Sequence, residues 1–83
     1  MLPTYNVKLS AGNMVITLLE SVELFDRPPR PNNWTELIAT AKLKNGQTAI
    51  VIALDSSDGR SVYVVGPTGT GWTYGAFLKR IEV

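Results

Sequence analysis

The chain has 83 residues, 45% hydrophobic and 18% charged, with Lys plus Arg at 8, Asp plus Glu at 7 and a formal net charge of +1. That length carries one domain around one core, the near-neutral balance argues against a strongly basic nucleic-acid binder, and the apolar share excludes a disordered chain. With no Cys and no His, the chain has no disulfide framework, no thiolate chemistry, and neither the commonest general base nor the commonest metal ligand.

Met1 to Asn6 shows no basic region leading into an apolar one, so no secretory signal is expected. The longest apolar run, residues 49–54, is far too short to span a membrane. The expectation is a cytoplasmic protein without membrane contact, which the absence of Cys fits. Turn signals then recur at short intervals: Ser10-Ala11-Gly12-Asn13, the prolines 28, 29 and 31, Asn45-Gly46, Ser57-Asp58-Gly59, and the glycine-rich residues 66–71. Such punctuation predicts a single all-β domain over residues 1–83, a meander of short strands.

Residues 14–25 fit two patterns. As a strand, Met14, Ile16, Leu18, Val22 and Leu24 share a face and Glu20 falls out of pattern; as a helix, Leu18, Leu19, Val22 and Phe25 share one. The β-branched Val15-Ile16-Thr17 and the preceding Gly12-Asn13 favour the strand. Next, Arg27-Pro28-Pro29-Arg30-Pro31 holds a P-x-x-P with flanking Arg, the kind of segment gripped in polyproline II form. Between two apolar elements it reads as a rigid connector, with Arg27 and Arg30 placed to contact an anion.

Asn45-Gly46 is the sharpest local signal, because both residues tolerate the positive φ of a type I′ hairpin turn. A two-residue loop there sets Lys44 opposite Gln47 and Leu43 opposite Thr48. Leu37, Ala39, Ala41, Leu43, Ile50, Ile52 and Leu54 then share one face, the expected core. A bulged turn at Ser57-Asp58-Gly59 would pair Leu54 with Val62 and Ile52 with Val64, extending that core.

The tail, Gly71-Trp72-Thr73-Tyr74 followed by Gly75-Ala76-Phe77-Leu78 and Lys79-Arg80-Ile81-Glu82-Val83, resembles the end of a bacterial SH3-like domain, over residues 62–83. The resemblance implies a small SH3-like barrel of five or six strands with one 3₁₀ turn near residues 74–77. The tail is also similar to that of the type II dihydrofolate reductases, with a Tyr before a Leu and a final Arg-Ile. Of that family's pore-lining strand only Tyr74 is matched here, so the activity is not carried over.

Chemistry is sparse. Glu20, Glu23, Asp26, Glu36, Asp55, Asp58 and Glu82 have no nucleophile or base at a telling spacing, so the expectation is a non-catalytic protein without cofactor or metal. Residues 66–71 lack the Lys-Ser/Thr pair of a phosphate-binding loop, since Trp72 follows the last glycine, and read as a strand connection.

The second face of the expected hairpin says more. Trp34, Ile38, Thr40, Ala49, Val51, Ala53, Tyr63 and Val65 would line it, rimmed by Glu36, Lys42 and Asp55. A solvated sheet face alternates apolar with polar residues, and residues 49–54 do not. Either the chain covers this face itself, by a bent barrel or a helix, or a protein partner or second copy does. In the latter case Trp34, Ile38, Val51, Tyr63 and Val65 make the contact, with the two large rings as anchors. The alternative is a small-ligand or single-stranded nucleic-acid site using Arg27, Arg30, Trp72 and Tyr74. For nucleic acid, a near-neutral chain gains little from counterion release.

Overall fold

The computed structural model describes residues 9–57 and 60–81. Seven strands run through them: β1 (Met14–Thr17), β2 (Ser21–Phe25), β3 (Ala39–Lys44), β4 (Ala49–Leu54), β5 (Ser61–Gly66), β6 (Gly69–Tyr74) and β7 (Leu78–Arg80), with 3₁₀ turns at Trp34–Glu36 and Gly75–Phe77. They form one antiparallel sheet in the order β3-β2-β6-β5-β4-β1-β7, curled into a half-barrel. The all-β expectation holds, with seven strands in place of five or six and a second 3₁₀ turn. The extra strand comes from residues 14–25, which are two strands around a bend. At the bend the Leu19 N–H donates to the Thr17 hydroxyl at 2.9 Å and the Leu18 N–H to the Phe77 carbonyl at 2.8 Å. Glu20, the residue out of strand pattern, sits on that corner.

The Asn45-Gly46 turn is not a hairpin. β3 pairs with β2, from Ser21 opposite Lys44 to Phe25 opposite Ala39, and β4 pairs with β1 and β5. Gly46 has φ +90°, but no described non-glycine residue has positive φ, so Asn45 lacks the type I′ conformation. One positive-φ glycine at the third position, with the Gln47 N–H donating to the Lys44 carbonyl at 3.0 Å, is the type II arrangement. Its twist splays the flanking strands instead of pairing them. The Asn45 N–H is drawn to the Glu20 carbonyl at 2.8 Å, and the chain turns a corner from one end of the sheet toward the other.

A second correction concerns which side of β4 is inside. Leu54 pairs with Val62 as expected, but Val51, not Ile52, lies opposite Val64, because the register shifts between Val51 and Ala53. Ile52 is the extra residue of a β-bulge, and one inserted residue turns every side chain before it to the other face. Ala49 and Val51 are therefore buried and Ile50 and Ile52 face out. The Asp58-Gly59 turn itself lies outside the described residues. The core consists of Val15, Leu24, Leu43, Ala49, Val51, Val62, Val64 and Leu78, with Leu9 and Ala41 packed against it.

The glycine-rich stretch is mostly strand. Gly66 pairs with Gly69 across a two-residue Pro67-Thr68 turn, and Gly71 lies opposite Val64 on the inner side. A Cβ on Gly71 would stand 2.5 Å from Thr40 Oγ1 and 2.6 Å from Leu24 Cβ, so only glycine lets β2 and β3 cross β6 this closely. Side chains link β3 to the β5–β6 ribbon. The Thr68 hydroxyl donates to the Lys42 carbonyl at 2.6 Å and accepts from the Lys42 N–H at 3.2 Å, and the Thr40 hydroxyl donates to the Thr70 carbonyl at 2.6 Å. Among the described residues no helix is long and apolar enough to cross a membrane.

Candidate functional site

The register sets two rows of side chains on the convex side of the sheet. Phe25 lies opposite Trp72, Trp72 opposite Tyr63, and Tyr63 opposite Ala53. Beside it, Thr70 lies opposite Val65, Val65 opposite Ile50, and Ile50 opposite Met14. Directly opposed residues share a face, so eight positions from five strands form a continuous field without one charged group. The bulge adds Ile52. Met14, Ile50, Ile52 and Val65 are all exposed, Ile50 by 44% and Ile52 by 48%. The Tyr63 and Trp72 rings are 5.3 Å apart, and the Tyr63 hydroxyl is held by Thr70 Oγ1 at 2.9 Å. Charge begins at the margins, with Lys79 opposite Ile16 on one side and Lys42 opposite Glu23 on the other.

One end of this side is roofed by residues 26–38. Their neck is closed by the Asp26 N–H donating to the Ile38 carbonyl at 2.9 Å and the Ile38 N–H to the Asp26 carboxylate at 3.1 Å. That N–H holds the Asp26 carboxyl below its ordinary value, the nearby Arg27 charge adding to the effect. Inside the loop Asn33 accepts from the Arg30 N–H at 2.8 Å and donates to the Pro28 carbonyl at 3.0 Å. Residues 26–38 thus connect β2 to β3. Buried Pro29 lies over β5, its carbonyl accepting from the Ser61 hydroxyl at 3.3 Å, and the Arg30 guanidinium meets the buried Asp55 carboxylate at 2.8 Å and Ser57 Oγ at 3.0 Å.

The loop also delivers Trp34 to a chain of rings. Phe25 and Trp34 are 5.8 Å apart, Trp34 and Tyr74 5.8 Å, and Tyr74 and Phe77 5.9 Å, all edge to face. Such contacts add about 0.5–1.5 kcal/mol each beyond area burial. Trp34 stays 46% exposed and borders an open groove of about 430 Å³ whose walls include Leu19, Val22, Phe25 and Phe77, with Glu23 and Lys42 at its margin.

Of the residues expected to meet a partner, Tyr63 and Val65 lie in the uncharged field and Trp34 on the ring chain at its end. Ile38 is 62% exposed but belongs to the neck of the loop. Val51 is a correction: the bulge turns it into the core with no exposure. The expected core residues Ile50, Ile52 and Leu54 are exposed for their part. Of the alternative set, Trp72 and Tyr74 point outward on β6, while Arg27 faces Asp26 at 3.4 Å and Glu36 at 3.7 Å and Arg30 faces Asp55. The sequence alternation does not turn Ile50 and Ile52 outward, since only the bulge does so, and Met14 is carried outward with Ile50 by the β1–β4 pairing. Phe25 and Phe77 were missed because the ring chain gathers from four separate segments. Among the described residues no three His, Cys, Asp or Glu side chains are grouped to hold a metal ion. Comparison with family models, curated proteins and solved structures found no match.

Proposed function

We propose that this chain is a non-catalytic interaction module that presents the convex face of β1, β4, β5 and β6 to a protein partner or to a second copy of itself. The supporting observation is the uncharged field from Met14 through Ile50 and Val65 to Tyr63 and Trp72, where a face made for water would carry alternating polar groups. An SH3-like barrel is proposed as its fold family, supported by the succession of β6, the Gly75–Phe77 turn and β7 at the place where the tail resembles that family. The test is the double variant Ile50→Glu/Ile52→Glu, followed by circular dichroism and by sedimentation over a wide concentration range. The fold is expected to survive and concentration-dependent association, or binding to an identified partner, to disappear. A double variant that stays folded and associates like the parent removes this surface from consideration.

A second reading has the Trp34 groove taking a small apolar or aromatic ligand. It is supported by the aromatic walls and a volume within the range of ligand clefts. Quenching of Trp fluorescence, absent in Trp34→Leu, is its signature.

A further inference from the structure

The Asn45-Gly46 step, relieved of the hairpin role its sequence suggests, carries chemistry of its own. We infer that Asn45 is a self-modifying residue, whose side-chain amide is converted through a cyclic imide with Gly46 into aspartyl and isoaspartyl products at the corner between β3 and β4. The attacking group is the Gly46 nitrogen. A Cβ on Gly46 would meet nothing within 4 Å, and the Gly46 N–H makes no hydrogen bond among the described residues, so nothing crowds or occupies it. Asn45 is exposed, and its carboxamide also makes no hydrogen bond among the described residues. Three bonds hold the corner: Asn45 N–H to Glu20, Gln47 N–H to Lys44, which closes the turn around the reacting pair, and Lys44 N–H to Gln47 Oε1 at 2.9 Å.

Other asparagines supply the contrast. Asn13 Oδ1 accepts from the Ser10 N–H at 2.7 Å and bulky Met14 follows. Asn33 uses both ends of its carboxamide inside the 26–38 loop, and Trp34 follows. Asn32 is exposed, but the nitrogen after it belongs to Asn33, whose side chain hinders approach.

The step balances with water as the only co-reactant. The Gly46 amide loses its proton to hydroxide and its nitrogen pair attacks Asn45 Cγ. The Cγ–Nδ2 bond breaks and Nδ2 leaves as ammonia, taking up the proton needed from water. Water then opens the ring at either carbonyl, restoring the main chain as aspartyl or rerouting it through the side chain as isoaspartyl. No oxidation or reduction occurs. The new carboxylate takes the formal net charge from +1 to 0, a value that favours association.

Incubating the full chain at neutral and alkaline pH, with peptide mapping by mass spectrometry, tests this. Asn45 is expected to exchange NH2 for OH in two chromatographically distinct products, faster at alkaline pH, and Asn13 and Asn33 to stay intact while folded. Its rate in the folded chain is expected within about tenfold of that in urea, since bringing the Gly46 nitrogen to Cγ opens only the exposed Gln47 N–H to Lys44 turn bond. Asn45→Ser removes the signal. A folded rate slower than that bound, a single aspartyl product, or earlier reaction at Asn32 overturns the inference.

Discussion

Val51 and Ile50 are chain neighbours whose fates are set by the bulge at Ile52, and substituting each by Thr reads out that geometry. Thr matches Val in shape and keeps strand propensity, so Val51→Thr changes little except to place a hydroxyl among Val15, Leu43 and Val64 in a core where Val51 has no exposure. A buried hydroxyl without a partner costs about 1–3 kcal/mol, and the lost methyl about 1 more. The sum, about 2–4 kcal/mol, is a large part of the ~4–12 kcal/mol that a domain of this length holds in reserve. At about 4–8 °C per kcal/mol the melting temperature falls by at least ~8 °C. Ile50→Thr places its hydroxyl in water and loses only partly buried methylenes, so it costs less than about 1 kcal/mol. Urea and thermal unfolding followed by circular dichroism, with unchanged m-values, measure both. If Ile50→Thr proves the more damaging, β4 keeps an unbulged register, Ile50 is core, and the convex surface as drawn collapses.

Gly71→Ala places a methyl 2.9 Å from Leu24 backbone carbon as well as against Thr40, and is expected to cost about 3 kcal/mol or more in urea unfolding. Gly46→Ala meets no neighbour but keeps φ +90°, so strain alone limits its cost to about 1–2 kcal/mol; equal losses at the two glycines would contradict the close crossing at Gly71. Arg30→Ala leaves the buried Asp55 carboxylate with Ser57 but without its guanidinium and should lower stability by about 2–4 kcal/mol, a loss that unchanged urea midpoints would disprove. Asp26 is expected to show in the acid limb of stability. Its folded pKa lies below 3.8, so its contribution is fully present above that value and is lost as pH falls through the lower folded one; Asp26→Asn should flatten the stability profile below pH 3.8, and a variant profile parallel to the parent's counts against the Asp26–Ile38 neck.

What could be read from the sequence divides along local and non-local lines. The alternation of Val62, Val64 with Tyr63, Val65 gave β5 its two sides correctly, because no insertion disturbs that strand. The strand–3₁₀–strand ending was legible in Gly71 to Arg80, where turn chemistry and apolar spacing agree. On β4 the same alternation misleads: residues 49–54 are apolar at every position, so the sequence holds no preference for which half lies inside, and the bulge decides it. Asn45-Gly46 misled for a related reason. The pair permits a type I′ turn without requiring one, and the competing acceptor is the Glu20 carbonyl, distant in the chain and produced only by the bend at residues 18–20. The aromatic chain likewise depends on where residues 26–38 fold back, which the Asp26–Ile38 closure fixes.

The size of the exposed field limits what can cover it. Fully burying one Val, Leu, Ile or Met side chain stabilises by about 1.5–3 kcal/mol. Met14, Ile50, Ile52 and Val65 keep roughly two-fifths to a half of their surface in water, so covering all four returns about 3–5 kcal/mol per face. Two such faces meeting symmetrically would gain about 6–10 kcal/mol, which only matches the ~4–15 kcal/mol lost in association. Self-association through the aliphatic row alone is therefore weak. Tight binding requires the occupant to extend over Tyr63 and Trp72 as well, where large rings already held by each other and by Thr70 add area at little further cost in side-chain order. Trp72→Ala should thus weaken a tight complex strongly while leaving a weak self-association nearly unchanged, which separates a dedicated partner from incidental pairing of like faces.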